Sequence, residues 1–325
     1  MRKVLGIGNA LVDIIIKINN DSILKDFCLP KGSMQLVDVT TAINIEKACS
    51  DFSRSMASGG SAANTIHGLS RLGVATGFIG TVGQDSVGQF FHDDMVHAGT
   101  KPFLSSTNTE TGRAIALVSP DSERTFATYL GAAVEISENN LKDTYFKDYN
   151  MLHLEGYLAP LQLLMETAMK KAKQYHMLVS LDLASYNVVE SNLDFLHTIM
   201  SKYVDIVFAN EEEAKTYTGL TDPVAALHTL AQSSKIAVVK IGKNGSLVQR
   251  GKEVHTIGIT PAKSVDTTGA GDLYAAGFLF GLIRGLPLEK CGNVGALLAA
   301  NVIEELGAKI SDSRWEKILQ ALKTL

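Results

Sequence analysis

Asp266-Thr267-Thr268-Gly269-Ala270-Gly271-Asp272 is followed without a break by Leu273-Tyr274-Ala275-Ala276-Gly277-Phe278-Leu279. A glycine turn opening directly into an apolar helix has a physical consequence. The first N–H groups of a helix have no partners inside it and lie at the positive end of its dipole. Gly269, Ala270 and Gly271 carry little or no side chain, so an anion can reach those amides. Asp272 is then oddly placed, because a carboxylate beside a phosphate pocket repels the phosphate. It makes sense where it takes a proton from an alcohol as that alcohol attacks phosphorus. A Gly-x-Gly-Asp run alone would imply only a turn whose acidic residue suits the dipole. The seven-residue string with its small-residue helix favours the catalytic reading. No Gly-x-x-x-x-Gly-Lys-Ser/Thr occurs in the chain, so the phosphate site is not a P-loop. Gly6-Ile7-Gly8-Asn9-Ala10-Leu11 resembles the start of a dinucleotide fingerprint. Leu11 stands where its third small residue belongs, which argues against a nicotinamide-dependent oxidoreductase.

Upstream, Ser58-Gly59-Gly60-Ser61-Ala62-Ala63-Asn64-Thr65-Ile66-His67-Gly68-Leu69-Ser70-Arg71-Leu72-Gly73 puts paired glycines before a helix with a small, polar first turn. Gly59 and Gly60 let a ligand approach the backbone, and Asn64 offers a hydroxyl both a donor and an acceptor. The same string also reads as a helix capped by Ser61 and closed by Gly73. Asn210-Glu211-Glu212-Glu213 follows the apolar run Ile206–Ala209 and is itself a capping box. Its functional reading puts Glu213 near a Mg²⁺ through waters, because Mg²⁺ keeps much of its hydration shell. Asp13 lies in Leu11-Val12-Asp13-Ile14-Ile15, where an ionised carboxylate needs partners. A vicinal diol would supply two donors, and a buried salt bridge would serve equally. Arg124 could neutralise phosphate charge on closure of the site, or be a solvated turn residue. None of the eight histidines forms a metal-ligand spacing.

The whole chain has 325 residues, 46% hydrophobic and 20% charged, enough for a sizeable core and unlike a disordered chain. Thirty Lys+Arg against 34 Asp+Glu give a net charge of -4, with no electrostatic footprint for nucleic acid or an anionic membrane. Three separated cysteines, Cys28, Cys49 and Cys291, make no disulfide framework. No apolar run is long enough for a membrane span, and Asn9 and Asp13 interrupt the apolar start, so a cytoplasmic protein is expected.

Apolar strand candidates at 4–8, 76–81, 115–118, 151–154, 178–182, 206–209 and 236–241 alternate with helical stretches such as 62–72, 161–176 and 224–232. That alternation predicts an α/β fold, a doubly wound, mostly parallel sheet with helices on both faces. Asn244-Gly245 predicts a hairpin joining 236–241 to 246–250. Residues 11–39 and 103–130 fit the parallel pattern poorly and predict a small β-sheet lid. No linker divides the chain, so one unit spanning 1–325 is expected.

The Gly59–Gly73 and Asp266–Leu279 strings, with Asn210–Glu213 between them, resemble the two signatures of the ribokinase-like family of carbohydrate and nucleoside kinases. Gly8–Asp13, Lys31-Gly32-Ser33-Met34 and 124–131 are most similar to its bacterial adenosine-kinase-like branch. The resemblance implies an ATP- and Mg²⁺-dependent kinase acting on the 5′-hydroxyl of a ribonucleoside, adenosine first. It makes Asp272 the base and Gly269, Ala270 and Gly271 the anion hole. Asp13, Gly59, Gly60 and Asn64 would hold the sugar. Asn210, Glu213, Gly242, Gly245 and Thr268 would serve the nucleotide and Mg²⁺, and Asn301 would contact adenine. Lys240 stands where the family carries Thr in a nucleotide-contacting Thr-x-Gly. Asp266 and Ser311 match a monovalent-cation (K⁺) site. For the base, Tyr157 and Phe103 are stacking candidates, Tyr157 being equally readable as core. A sugar kinase of the ribokinase or fructokinase kind is the near alternative, and a non-catalytic ligand-binding protein the distant one. Either a monomer or a homodimer is compatible with the sequence.

Overall fold

The computed structural model describes residues 2–121 and 123–323. Along the chain the strands are β1 (Val4–Ile7), β2 (Leu11–Lys17), β3 (Met34–Leu36), β4 (Arg54–Gly59), β5 (Thr76–Gly83), β6 (Thr100–Thr107) and β7 (Gly112–Val118). They continue as β8 (Arg124–Tyr129), β9 (Met151–Glu155), β10 (Leu178–Asp182), β11 (Ile206–Asn210), β12 (Ile236–Lys240), β13 (Ser246–Arg250) and β14 (Glu253–Ile257). Nine form one sheet in the order β14-β13-β12-β11-β10-β9-β1-β5-β6, parallel from β12 to β6 and antiparallel over β12-β13-β14. The fold is thus α/β, with helices on both faces of a mostly parallel sheet. Alternate residues of its strands feed two cores. Val4, Met151 and Phe208 join the core beneath the helices Ser61–Arg71, Ala270–Arg284 and Leu288–Val302, while Leu5, Leu152 and Val207 join the other. The hairpin forms as expected, turning through Gly242–Asn244.

The second sheet runs β3-β8-β7-β2-β4. It forms the expected lid, with altered membership. Residues 100–107, which overlap the expected lid segment 103–130, pair in parallel with β5 as the edge of the main sheet. Phe103 therefore stacks on Tyr145, ring centroids 4.3 Å apart, rather than over a substrate. Arg54–Gly59, not foreseen as a strand, closes the lid beside β2, and 115–118 belongs to the lid. Period-two alternation sorts its faces. Val12, Ile14, Ile16, Thr125 and Ala127 are buried, which leaves Asp13, Arg124 and Phe126 on the other face.

In open α/β sheets, ligands bind beyond the carboxyl ends of the strands. Here those ends are polar: β9 stops at Glu155, β10 at Asp182, β11 at Asn210 and β12 at Lys240, with Glu155 beside Asp182 and Asn210 beside Lys240 in register. Among the described residues no helix is long and apolar enough to cross a membrane.

Candidate active site

The lid's outer face and the strand ends enclose a cavity of about 640 Å³. The two glycine-bearing helices meet at its floor. Gly269 adopts a left-handed conformation (φ 74°) and starts the helix Ala270–Arg284, with Asp272 in its first turn. Gly68 lets the helix Ser61–Arg71 pack closely, since a Cβ there would lie 2.9 Å from Ala276 and Leu273. Side chains of that helix then reach Asp272. Its Oδ1 accepts from Ser61 Oγ at 2.7 Å and its Oδ2 from Asn64 Nδ2 at 3.0 Å. Thr65 donates to the Asp272 carbonyl. Burial, opposed by the Ser61 and Asn64 bonds, raises the Asp272 carboxyl from an ordinary 3.8 to about 6.

Asp13 descends from the lid into the same cavity. A Cβ at Gly59 would come within 2.1 Å of its carboxylate, so the bare backbone makes its room. Burial, partly offset by the charge of Lys309, pushes Asp13 up to about 7. Gly60 turns the chain at φ 98°, where a Cβ would strike the Asn9 carbonyl. Tyr157 is a cavity-wall residue rather than core, with 42% of its surface exposed. Phe126 faces the same space from the lid.

On the opposite side Asn210 and Glu213 form the capping box in full: Glu213 N donates to Asn210 Oδ1 at 2.8 Å, and Asn210 N donates to Glu213 Oε2 at 2.8 Å. Both also line the cavity, so serving as a helix cap does not remove them from it. Burial raises Glu213 to about 7 against the pull of Lys240. Lys240 donates to Asp182 at 2.9 Å, and a Cβ at Gly271 would sit 3.0 Å from its Nζ. Burial works against the charge of Lys240, yet Asp182, Glu213 and Asp272 hold it above its ordinary value. Beyond Gly242 and Gly245 the space continues into an apolar cavity of about 480 Å³ walled by Tyr274, Ala296, Ala299, Ala300 and Ile303.

Several expected placements change. Asn301 does not line that wall; its amide bonds the Leu297 carbonyl one helical turn back. Asp266 and Ser311 each bond other residues. Asp266 is buried and accepts from Arg124, Thr268 N and Gly307 N, while the Ser311 hydroxyl and N–H go to Glu305. Arg124 is no solvated turn residue. It bonds Asp266 and Thr268, tying the lid to the segment that leads into the Gly269 turn.

The sequence reading missed four residues. Glu155 is fully buried and accepts from Asn9 N (2.9 Å) and Ala62 N (2.7 Å), joining the β1 loop to the helix Ser61–Arg71. Burial lifts it to about 7 against those bonds. Asp182, Lys309 and Phe126 are the others. For Glu155 and Asp182 the available signal was a carboxylate closing a mostly apolar strand. Phe126 was marked by its two-residue spacing from Arg124.

A cavity between a lid and the strand ends, with a carboxylate beside a glycine turn at a helix start, defines a small-molecule kinase. The pfkB family carbohydrate kinase model matches residues 32–315, and the chain belongs to that family. It is 29% identical to an uncharacterized sugar kinase from Archaeoglobus fulgidus over 74% of this chain and 96% of that one. It is 28% identical to a 5-dehydro-2-deoxygluconokinase from Geobacillus thermodenitrificans, over 75% and 78%. Among solved structures it resembles a probable sugar kinase from Rhizobium etli (TM-score 0.88, 34% identity, 98% of both chains). It likewise resembles adenosine kinase from Sinorhizobium meliloti (TM-score 0.87, 34% identity, 99% of both chains).

Proposed function

We propose that this kinase transfers the γ-phosphoryl group of ATP to the 5′-hydroxyl of a ribonucleoside, adenosine before other nucleosides, giving the nucleoside monophosphate and ADP. The observation that carries the nucleoside choice is the wall of Phe126 and Tyr157 in the cavity that also holds Asp13, Asn64 and Asp272. A purine needs an apolar face for stacking, and a free sugar does not. Asp13 and Asn64 would take the ribose hydroxyls. Asp272 accepts the 5′-OH proton as the oxygen attacks, and a carboxyl at about 6 is ionised at neutral pH yet basic enough for the task. The amides after Gly269 stabilise charge on the moving phosphoryl group, and Lys240 adds a cation beside Gly271. The apolar cavity past Gly242 suits the adenine of ATP.

The donor chemistry fits Mg²⁺: Glu213 and Asp182 bring carboxylate oxygens to the cavity, and both Glu213 oxygens already accept from Asn210, which favours contact through water. When bound, Mg²⁺ supplies charge neutralisation to the phosphates.

A sugar kinase is the second reading, favoured by the names of the Archaeoglobus and Geobacillus relatives. A panel of adenosine, inosine, guanosine, ribose and fructose, with ATP and Mg²⁺ and scored by ADP release, separates the two. Adenosine is expected to have the highest kcat/KM; a free sugar in that place would overturn the nucleoside choice. In the same assay Phe126→Ala is expected to raise the adenosine KM by about 10-fold, the usual worth of one stacked base, with the ATP KM unchanged. Acidification should remove activity as pH falls through about 6, when Asp272 takes up its proton. A flat kcat/KM profile between pH 8 and 5 would contradict this.

A further inference from the structure

We propose that Lys309 is a positioning residue for the acceptor site, acting through Asn64: its ammonium fixes the Asn64 amide in the one orientation that presents a donor to Asp272. This rests on Asp272 being the base. Lys309 follows Gly307-Ala308, a segment pinned beneath the anion turn by the bond from Gly307 N to Asp266 (2.7 Å) and by contact of Ala308 with Gly269. From there Lys309 Nζ donates to Asn64 Oδ1 at 3.2 Å, and Asn64 Nδ2 donates to Asp272 Oδ2 at 3.0 Å.

The logic is that of donors and acceptors. An amide has one end of each kind, and Asn64 is buried, so its orientation must be set by neighbours. An ammonium can only donate, and an ionised carboxylate can only accept. Reversing the amide would set NH₂ against NH₃⁺ and C=O against COO⁻, both repulsive. Without Lys309 one of the two orienting contacts is gone and only the repulsion between C=O and COO⁻ still sets the amide, so the reversed amide, which favours the protonated acid, becomes less costly.

Charge acts in the same direction. Lys309 faces Asp13 from β2, Asp94 from the helix Ser86–His97, Asp272, and His67, whose imidazole it helps keep neutral. Asp272 in turn faces Asp182 and Lys240, and its charge is felt at Glu155 and Glu213. Burial lowers Lys309 to about 8 while Asp94, Asp13 and Asp272 resist, so the cation persists at neutral pH.

The test is steady-state kinetics of Lys309→Met and Lys309→Arg between pH 5 and 9, using whichever acceptor in the panel turns over fastest. Lys309→Met should lose about 10- to 100-fold in kcat, as small misplacements of reacting groups do, with the KM for ATP unchanged. Its acidic limb should move up by about one pH unit on losing a neighbouring cation. Lys309→Arg keeps a donor-only cation, so it should fold and return the limb to its original place. A wild-type limb in Lys309→Met, or a displaced limb in Lys309→Arg, would overturn the positioning role. Asp272→Asn, run alongside, separates the premises. If it retains turnover, the base assignment fails and this role with it; if it is inactive while Lys309→Met behaves as wild type, only the role of Lys309 fails.

Discussion

Asp272→Asn is expected to keep the fold and lose about 10²–10⁴-fold in kcat, the range that general-base removal costs. The amide is isosteric, so Ser61 and Asn64 retain a partner, but it cannot accept the acceptor's proton. Stability should move the other way. The Asp272 carboxyl is raised in the folded protein, from 3.8 to about 6. Its contribution to stability is therefore fully present below the unfolded value, near pH 4, and is lost as pH rises through about 6. At pH 8 the wild type holds a buried carboxylate at a cost of up to about 3 kcal/mol, by the free energy of two pKa units. Asn carries no such cost. Asp272→Asn should thus melt above the wild type at pH 8, and the gap should shrink toward pH 4–5. Thermal unfolding at several pH values, paired with single-turnover assays, checks both halves. Near-normal turnover would remove the base assignment, and a melting gap that widens on acidification would remove the account of the charge.

Such opposed effects are what a strained functional group produces, and they bear on what the sequence could reveal. Residues 76–81, 151–154, 178–182, 206–209 and 236–241 were recognisable because each is apolar almost throughout, with no alternating polar face, as suits a parallel strand covered on both sides. Thr100–Thr107 was misplaced for the opposite reason. As the outermost strand of the main sheet it is only partly covered, and its mixed pattern reads like a lid strand. Arg54–Gly59 has almost no apolar side chains to alternate, so only its pairing with β2 makes it a strand. At the site, Asp272, Gly269 and Asn64 stand in local strings whose spacing carries their meaning. Lys309 and Glu155 have none: their partners lie 245 and 146 or fewer positions away and are set by tertiary packing alone. Phe126 fell between these cases, since its register partners Met34 and Ala116 are set only by the pairing of β8 with β3 and β7.

Gly269→Ala tests whether the anion turn must sit where it does. An alanine in the left-handed conformation of Gly269 carries a backbone penalty of roughly 1–2 kcal/mol wherever it occurs. Here the new methyl would also lie 2.6 Å from the Ala308 Cβ and 2.9 Å from its Cα. The second contact is with backbone, so the chain on one side must move. Retreat of 307–309 would loosen the Gly307 bond to Asp266 and draw Lys309 from Asn64, while retreat of the turn would shift the amides themselves. Either path moves charge-stabilising or positioning groups, and kcat should fall about 10²-fold. Gly285 supplies the comparison that isolates this effect. It closes the same helix at the same φ of 74°, and a Cβ there meets nothing within 4 Å. Gly285→Ala should bear the backbone penalty alone, with a lowered melting temperature and unchanged turnover. Measured together, the two variants divide the conformational cost from the steric one. Equal kcat in both would mean that the turn tolerates displacement, and that the phosphoryl group is held by Lys240 rather than by the amides after Gly269.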